Sequence, residues 1–535
     1  MPVKLRPRAL SSLTRFLLVF SLVTAVLTQV WVSSASGEAA SAAYPDRSDY
    51  RIKSIQPDSW PDKDEIAGNN TGGVALNLVW AEWEPELRLA PCPAGQIEYD
   101  GHCFRVPTGL DTDIREWTAR GLVVTAVIFG TPQWARAGKP CSPVSPGYEW
   151  FCTPNNPADF GRFAGMLAKR YNGSSGNGRI ADMIVNNEVN TNAWFDIGCG
   201  QGVACDTRRW LDEIAANYIA VYDKAAGEQP TTKVLTSLDN QFGTELERPN
   251  AHDATLSGMT VLRGLDARIG SRELRVGFHP YPRDLRSIQV SPDDYPYVTY
   301  GNLGVLVGWL RVNLPHRATA WSDVQLTESG LNSAAPSTPQ QQASATCSSF
   351  RNVLATPGIN NYVYHRMRDH PSEVGSGLSL GLRNTDGSAK PSWATWALAN
   401  RNDLSTPLLS CGFELLPHVK LAYGNNPTRG SWTSTRELPA GFTKLKEWKL
   451  LRRPSADTVP LYECRVGQHN LVSRDSGCED QFPLGPLGHA YLNPRPGTVA
   501  LYRCYVPTNG DHFVSDLSNC DGATVEGPPL GYVVK

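Results

Sequence analysis

Short apolar runs alternate with longer amphipathic stretches from about residue 74 to residue 400. The runs at 74–80, 122–130, 181–185, 233–239, 274–281, 320–328 and 359–366 are brief and nearly continuous in apolar character, which predicts buried strands. Between them, 111–120, 159–171, 210–226, 303–314, 339–355 and 392–401 carry apolar residues at helical spacing. Phe160, Phe163, Leu167 and Tyr171 in the second of these are an example. Strands alternating with helices predict a parallel α/β sheet, here a (β/α)8 TIM barrel over 43–405. Seven strands are legible, and the eighth is expected either near 50–56 or within 98–106.

Beyond Ser405 the pattern changes to short strands and many turns. Leu461-Tyr-Glu-Cys464 returns as Leu501-Tyr-Arg-Cys504, 40 positions later, and each copy runs on to a serine (Ser473, Ser515) and a second cysteine. The copies end in Leu487-Gly-His489 and Leu530-Gly-Tyr532, and a degenerate earlier copy fits the same register at Leu421-Ala-Tyr423. Three all-β repeats of about 40 residues predict a β-trefoil-like domain over 411–535, although a repeat alone establishes only a modular array.

A length of 535 residues fits a barrel plus a second domain. A formal charge of −2 gives no basic footprint for nucleic acid. Lys4, Arg6, Arg8 and Arg15 precede an apolar run over 16–32 and a small-residue stretch over 33–43. This predicts a signal peptide over 1–42 and a secreted, extracellular protein without membrane attachment after cleavage. The alternative is an uncleaved anchor, since the run is long for a signal core, though Thr24, Thr28 and Gln29 interrupt it. All 12 cysteines follow that segment, and an even number in an exported chain predicts disulfides. Their spacing pairs Cys92 with Cys103, Cys141 with Cys152, Cys199 with Cys205, Cys464 with Cys478 and Cys504 with Cys520, which leaves Cys347 for Cys411. No C-x-x-C occurs, so zinc and thioredoxin-like redox chemistry have no support; no cofactor and a monomer are expected.

The chemistry centres on Asn186-Asn-Glu188, where an apolar run turns abruptly polar, and on Glu328, which ends a second run ahead of Gly330. At the C-terminal mouth of a barrel, two facing carboxyl groups are the equipment of glycoside hydrolysis, one as proton donor and one as nucleophile. Closeness of two negative charges raises one pKa, which keeps the donor protonated. Asn187 is placed to bond a sugar 2-hydroxyl. His279 and Tyr281 follow a strand and face the same mouth, the tyrosine to hold the nucleophile ionised; the plainer reading makes them core residues. Trp80, Trp83, Trp134 and Trp194 lie just past strand ends, where rings either stack on sugars or pack the core. Gly377-Leu-Ser-Leu-Gly381 satisfies G-x-S-x-G, but a turn rather than a helix follows it, which argues against an esterase elbow. His365, His370 and Glu373 match no metal-ligand spacing and read as polar lining of the last strand.

These segments resemble clan-A retaining glycoside hydrolases, in which the acid/base follows an asparagine after the fourth strand and the nucleophile ends the seventh. More closely, 160–395 is similar to a secreted bacterial family described only as a domain of unknown function. The segments that carry this likeness are Asn187-Glu-Val-Asn190, Trp194, Leu238-Asp239, Gly277-Phe-His-Pro-Tyr281, Leu326-Thr-Glu-Ser-Gly330 and Tyr364-His-Arg366, with Lys390-Pro-Ser-Trp393 beyond. The resemblance implies Glu188 as acid/base and Glu328 as nucleophile, and adds Asp239, Tyr364 and Arg366 to the substrate-binding set. The tail is similar to secreted repeats appended to exported enzymes. The expected function is hydrolysis of a polysaccharide or glycoconjugate. The alternatives are a transglycosidase using the same residues and a non-catalytic glycan-binding protein on a degenerate barrel.

Overall fold

The computed structural model describes residues 51–535 apart from 201, 245–253, 289–290, 400–417 and 453. The expected signal segment, Cys411 and the stretch joining the two parts of the chain lie outside the described residues. Eight parallel strands close into a barrel, each followed by a helix: β1 (Lys53–Ile55), α1 (Lys63–Gly68), β2 (Gly73–Val79), α2 (Leu110–Ala119), β3 (Val123–Phe129), α3 (Pro157–Arg170), β4 (Ile180–Val185), α4 (Thr207–Glu228), β5 (Lys233–Leu238), α5 (Gly258–Asp266), β6 (Val276–Phe278), α6 (Leu303–Asn313), β7 (Val324–Leu326), α7 (Pro339–Leu354), β8 (Ile359–Tyr364) and α8 (Pro391–Leu398). Local signals set several of these starts. Asn156 caps α3 and Thr338 caps α7, each with proline at the first helical turn, where its missing N–H costs nothing.

The eighth strand is β1, inside the 50–56 window. It spans three residues, pairing with β8 through Ile55 and Tyr364 and with β2 through Ile55 and Val74. Its Lys53 is fully buried. The ammonium donates to the carbonyls of Trp396 and Ala399, 2.9 Å each, at the C-terminal end of α8. It also lies 4.3 Å from the centre of the Trp396 ring. A buried cation is tolerable only with such partners, and the end of a helix supplies unpaired carbonyls. The other candidate window forms a small hairpin, Ile97–Tyr99 with His102–Phe104, in the loop closed by Cys92 and Cys103.

The second part of the chain is all β. The strands β9 (His418–Asn426), β12 (Thr458–Val466) and β15 (Thr498–Val506) begin 40 residues apart. Each forms an antiparallel hairpin with the next short strand, β10 (Gly430–Ser434), β13 (His469–Ser473) and β16 (Asp511–Ser515). Each also pairs with a third strand, β11 (Thr443–Leu451), β14 (Phe482–Tyr491) and, past the two-residue β17 (Thr524–Val525), β18 (Gly531–Val534). These third strands pair with one another at Leu451–His489, Tyr491–Tyr532 and Lys449–Val534. Leu421, Leu461 and Leu501, the leading residue of each repeat, are fully buried in a shared core.

This domain packs against the barrel along α6, whose sequence is apolar on all sides because it is covered on two. Gly304 of α6 lies so close to Gly485 of β14 that a methyl group on either would run into the other segment's backbone. Arg436 is buried at the same contact, ion-paired with Glu463. The five local disulfides expected from spacing are formed. Cys347 is also disulfide-bonded. Among the described residues, no helix is long and apolar enough to cross a membrane.

Candidate active site

Beyond β4 the backbone enters the left-handed region at Asn186 (φ 61°) and again at Glu188 (φ 38°). Asparagine tolerates that conformation; a glutamate holds it only when its surroundings fix it. Here they do: the Glu188 amide donates to Ser237 Oγ (2.9 Å) and the Val189 amide to the Ser237 carbonyl (3.0 Å), tying the turn to the end of β5. His279, just past β6, joins the two sides of the mouth. Its Nδ1 is 2.8 Å from Glu188 Oε1 and its Nε2 is 3.1 Å from Thr327 Oγ1. Gly277 makes this possible, since a Cβ there would sit 2.8 Å from Thr327 Oγ1. Tyr281 donates its hydroxyl to Glu328 Oε1 at 2.9 Å. One ligand atom each from Glu188, His279 and Glu328 can be chosen so that all lie within 4.8 Å of one another. The nearest oxygens of the two carboxyl groups are therefore no farther apart than that.

The surroundings push the two carboxyl groups in opposite directions. Burial raises Glu188 above the usual carboxyl range, and its hydrogen bond from His279 only partly offsets this, with Asp239 and Glu328 adding negative charge nearby. Burial also acts to raise Glu328, but His365, His279, the Tyr281 hydroxyl and Arg366 outweigh it and hold that carboxyl below its usual range. Burial acts to lower His279, but the bond to Glu188 and the neighbouring carboxylates raise it above the ordinary imidazole value. These opposed shifts favour a proton on the Glu188–His279 side and the ionised form of Glu328.

A cleft of about 270 Å³ opens over this pair and is lined by Asn187, Glu188, Trp194, Tyr281, Glu328 and Arg366 among the residues singled out from sequence. The side chain of Asn187 has no partner among the described residues, and Trp194 packs edge-on against Phe151 with ring centres 4.8 Å apart. Arg366 is held by Asp58 (3.1 Å) and Glu373 (3.0 Å). Other expected site residues do not reach the cleft. Trp80 and Trp83 are core residues, because the chain turns directly from β2 into a short helix, Trp80–Trp83, and carries the Trp80 ring onto Phe163 of α3. Trp134 donates to the Glu84 carbonyl and packs edge-on against Trp80. Tyr364 is fully buried at the end of β8, its ring toward Tyr362. Asp239 lies behind Glu188, bonded to Asn190 and Gln241.

Sequence reasoning missed Asn77, Phe129, Phe151, Leu285, Leu378 and Leu380 in the cleft wall. Only Asn77 carried a signal, as the one polar residue inside the β2 run. His365 and Glu373 do line the cleft; His365 bonds Gln56 (2.5 Å) and Glu373 (3.4 Å). Ser379 of the G-x-S-x-G stretch donates to Asp369 (2.6 Å) and accepts from the buried Lys390 (3.1 Å), a structural bracing role. The trio Glu188, His279 and Glu328 is compact enough to hold a metal ion. However, both His279 nitrogens and Glu328 Oε1 are already engaged by protein partners.

No curated protein matches the chain in sequence. Among solved structures, it is similar to a family 39 glycoside hydrolase from the gut symbiont Bacteroides cellulosilyticus WH2 (14% identity, TM-score 0.45, covering 92% of this chain and 83% of that one). It is also similar to a glucosidase from Croceicoccus marinus (11%, 0.43, 67% and 69%). A third is the exo-beta-1,4-mannosidase Op5Man5 from Opitutaceae bacterium strain TAV5 (16%, 0.39, 67% and 60%). Residues 48–406 match the model of a family of unknown function, DUF5722, and the chain belongs to that family.

Proposed function

We propose that the protein is a glycoside hydrolase of the retaining type. The observation that carries this reading is the spacing of Glu188 and Glu328, with oxygens within 4.8 Å of each other. Carboxyl groups whose nearest oxygens are this close fit the roughly 5–5.5 Å separation of double displacement better than the ~6.5–9.5 Å separation that leaves room for an inverting water. The same closeness speaks against a non-catalytic, degenerate barrel.

In this mechanism an ionised Glu328 oxygen attacks the anomeric carbon as the glycosidic C–O bond breaks, and Glu188 passes its proton to the leaving oxygen. Water then gives a proton to Glu188, its oxygen attacks the same carbon, and the ester to Glu328 breaks. Tyr281 orients the nucleophile, His279 shares the proton of Glu188, and Asn187 bonds the sugar 2-hydroxyl. The disulfides support an extracellular setting. The three-repeat tail, read as trefoil-like, would hold the enzyme near a polysaccharide or glycoconjugate and raise its effective concentration.

A polysaccharide panel scored for released reducing ends identifies the substrate. Glu188→Gln and Glu328→Gln are each expected to abolish turnover with unchanged melting temperature. Full activity in either purified variant overturns that residue's role. An inverted first-formed anomer, read by proton NMR, overturns the double displacement.

A further inference from the structure

The leaving group of the proposed reaction departs beside Glu188, so the rest of the bound sugar extends away from β4, toward the loops after β6, β7 and β8. Those three loops are laced together. Asn332, past β7, donates to the Gly377 carbonyl (3.0 Å) and accepts from the Ser379 amide (2.8 Å), while the Ser333 amide donates to the Ser379 carbonyl (3.0 Å). Arg286, past β6, reaches across to donate to the Ser376 carbonyl (3.0 Å). Leu285, Leu378 and Leu380, from these loops, form cleft wall. Beyond β1, Asp58 is paired with Arg366 (3.1 Å) and continues the barrier.

The β3–β4 side is built differently. Phe151 and Trp194, from the loops after those strands, line the cleft, and Trp150 beside Phe151 carries an exposed ring. The volume of the cleft, about 270 Å³, falls below the ~300–1,000 Å³ that drug-sized ligands fill. That is room for one sugar ring behind the scissile bond, not for a chain that runs on.

At the closed end stands Glu373, on the short helix Pro371–Gly375 after β8. Its Oε1 meets Arg366 (3.0 Å) and His365 Nε2 (3.4 Å), but its Oε2 is buried with no hydrogen-bond partner among the described residues. Burial acts to raise this carboxyl, yet His365 and Arg366 outweigh it and hold Glu373 below the usual range, so the group carries charge. A buried acceptor without a donor is costly, and a sugar hydroxyl seated against it supplies one. Arg366 is the one guanidinium among the described cleft-lining residues, and Asp58 and Glu373 already pair with it, which leaves no surplus positive charge for an acidic sugar. We propose that the cleft is a blind pocket for one neutral sugar at a chain end, with Glu373 Oε2 accepting from hydroxyls at the far side of its ring, so that the protein releases sugars singly. The release rests on the hydrolase reading above; the shape and charge of the pocket do not.

The test takes the full-length protein through p-nitrophenyl α- and β-glycosides of neutral hexoses, 6-deoxyhexoses and pentoses, with the β-glucuronide as the acidic counterpart. Saturation-transfer NMR with the corresponding methyl glycosides reads occupancy without turnover. Nitrophenol should come from at least one neutral glycoside and not from the glucuronide, with saturation transfer to the same sugar. Glu373→Ala should lower kcat/KM about tenfold or more, as loss of a hydrogen bond to a charged oxygen does, and abolish the transfer at unchanged melting temperature. If that variant unfolds, the first products from the polysaccharide panel decide. Single sugars support the proposal, and internal cleavage to oligosaccharides overturns it with the hydrolase reading intact. Saturation transfer without turnover of any glycoside removes the hydrolase reading and supports the pocket. Equal use of the glucuronide, or unchanged binding in a folded Glu373→Ala, overturns the proposal.

Discussion

At the scale of single residues, the candidate site is an arrangement for holding two like groups in different protonation states. Activity in the proposed mechanism needs Glu328 ionised and Glu188 protonated. With Glu328 held low and Glu188 held high, kcat/KM should follow a bell. Its acid limb belongs to the first group and its alkaline limb to the second. Tyr281→Phe removes one hydrogen bond to a charged oxygen, which is worth about 1.5–3 kcal/mol, so kcat/KM should fall roughly 10- to 100-fold. The acid limb should also move to higher pH as Glu328 loses its donor; an unmoved limb would show that the hydroxyl does not tune the nucleophile. A second buried carboxyl makes a stability prediction. Burial pushes Glu84 up to about 8, while it accepts from Trp80 Nε1 (2.9 Å) and contacts His102 Nδ1 (2.7 Å). Its folded pKa lies above the unfolded value, so its contribution is complete at low pH and is lost as pH climbs through about 8. Melting temperature should therefore drop between pH 5 and 8 in the wild type and far less in Glu84→Gln.

The roles of these residues were not equally legible. Glu188 and Glu328 stand out in sequence because each breaks an apolar run at the point where a barrel strand must end. Trp80 occupies the same kind of position, yet the very next turn is helical and swings its ring outward, a rotation that no alternation of residues encodes. Leu378 and Leu380 reach the cleft from a loop without regular structure. Periodicity has nothing to say about such a loop.

Among the elements, β6 and β7 span only three residues each yet were legible because longer apolar runs contain them, whereas β1 had no such run around it. Three residues, Lys-Ser-Ile, carry no period, and β1 exists because β2 and β8 leave a gap that only a strand can fill. The nine-residue α5 begins and nearly ends in glycine, so propensity argued against it, but Ser257 caps it and Val261, Leu262 and Leu265 are buried. The contact of α6 with β14 depends on two facing glycines. Gly485 is in the left-handed region (φ 116°) and a methyl there would meet the Gly304 carbonyl. Gly485→Ala should cost about 2 kcal/mol or more through strain and overlap, read as a lower melting temperature. Limited proteolysis should then separate the tail from the barrel sooner than in wild type.

For the molecule as a whole, Lys53 ties the first strand of the barrel to the end of its last helix. Nascent chains leave the ribosome amino end first, so this lysine meets its carbonyls only after some 340 further residues have been translated. Until then the opening segment must wait, unsheltered, for a seam to be sewn from the far end. Chains stopped at residue 390 should stay sensitive to protease throughout, whereas the complete chain turns resistant in a single step. Resistance in the shortened product would mean that the ring can shut without its final rivet.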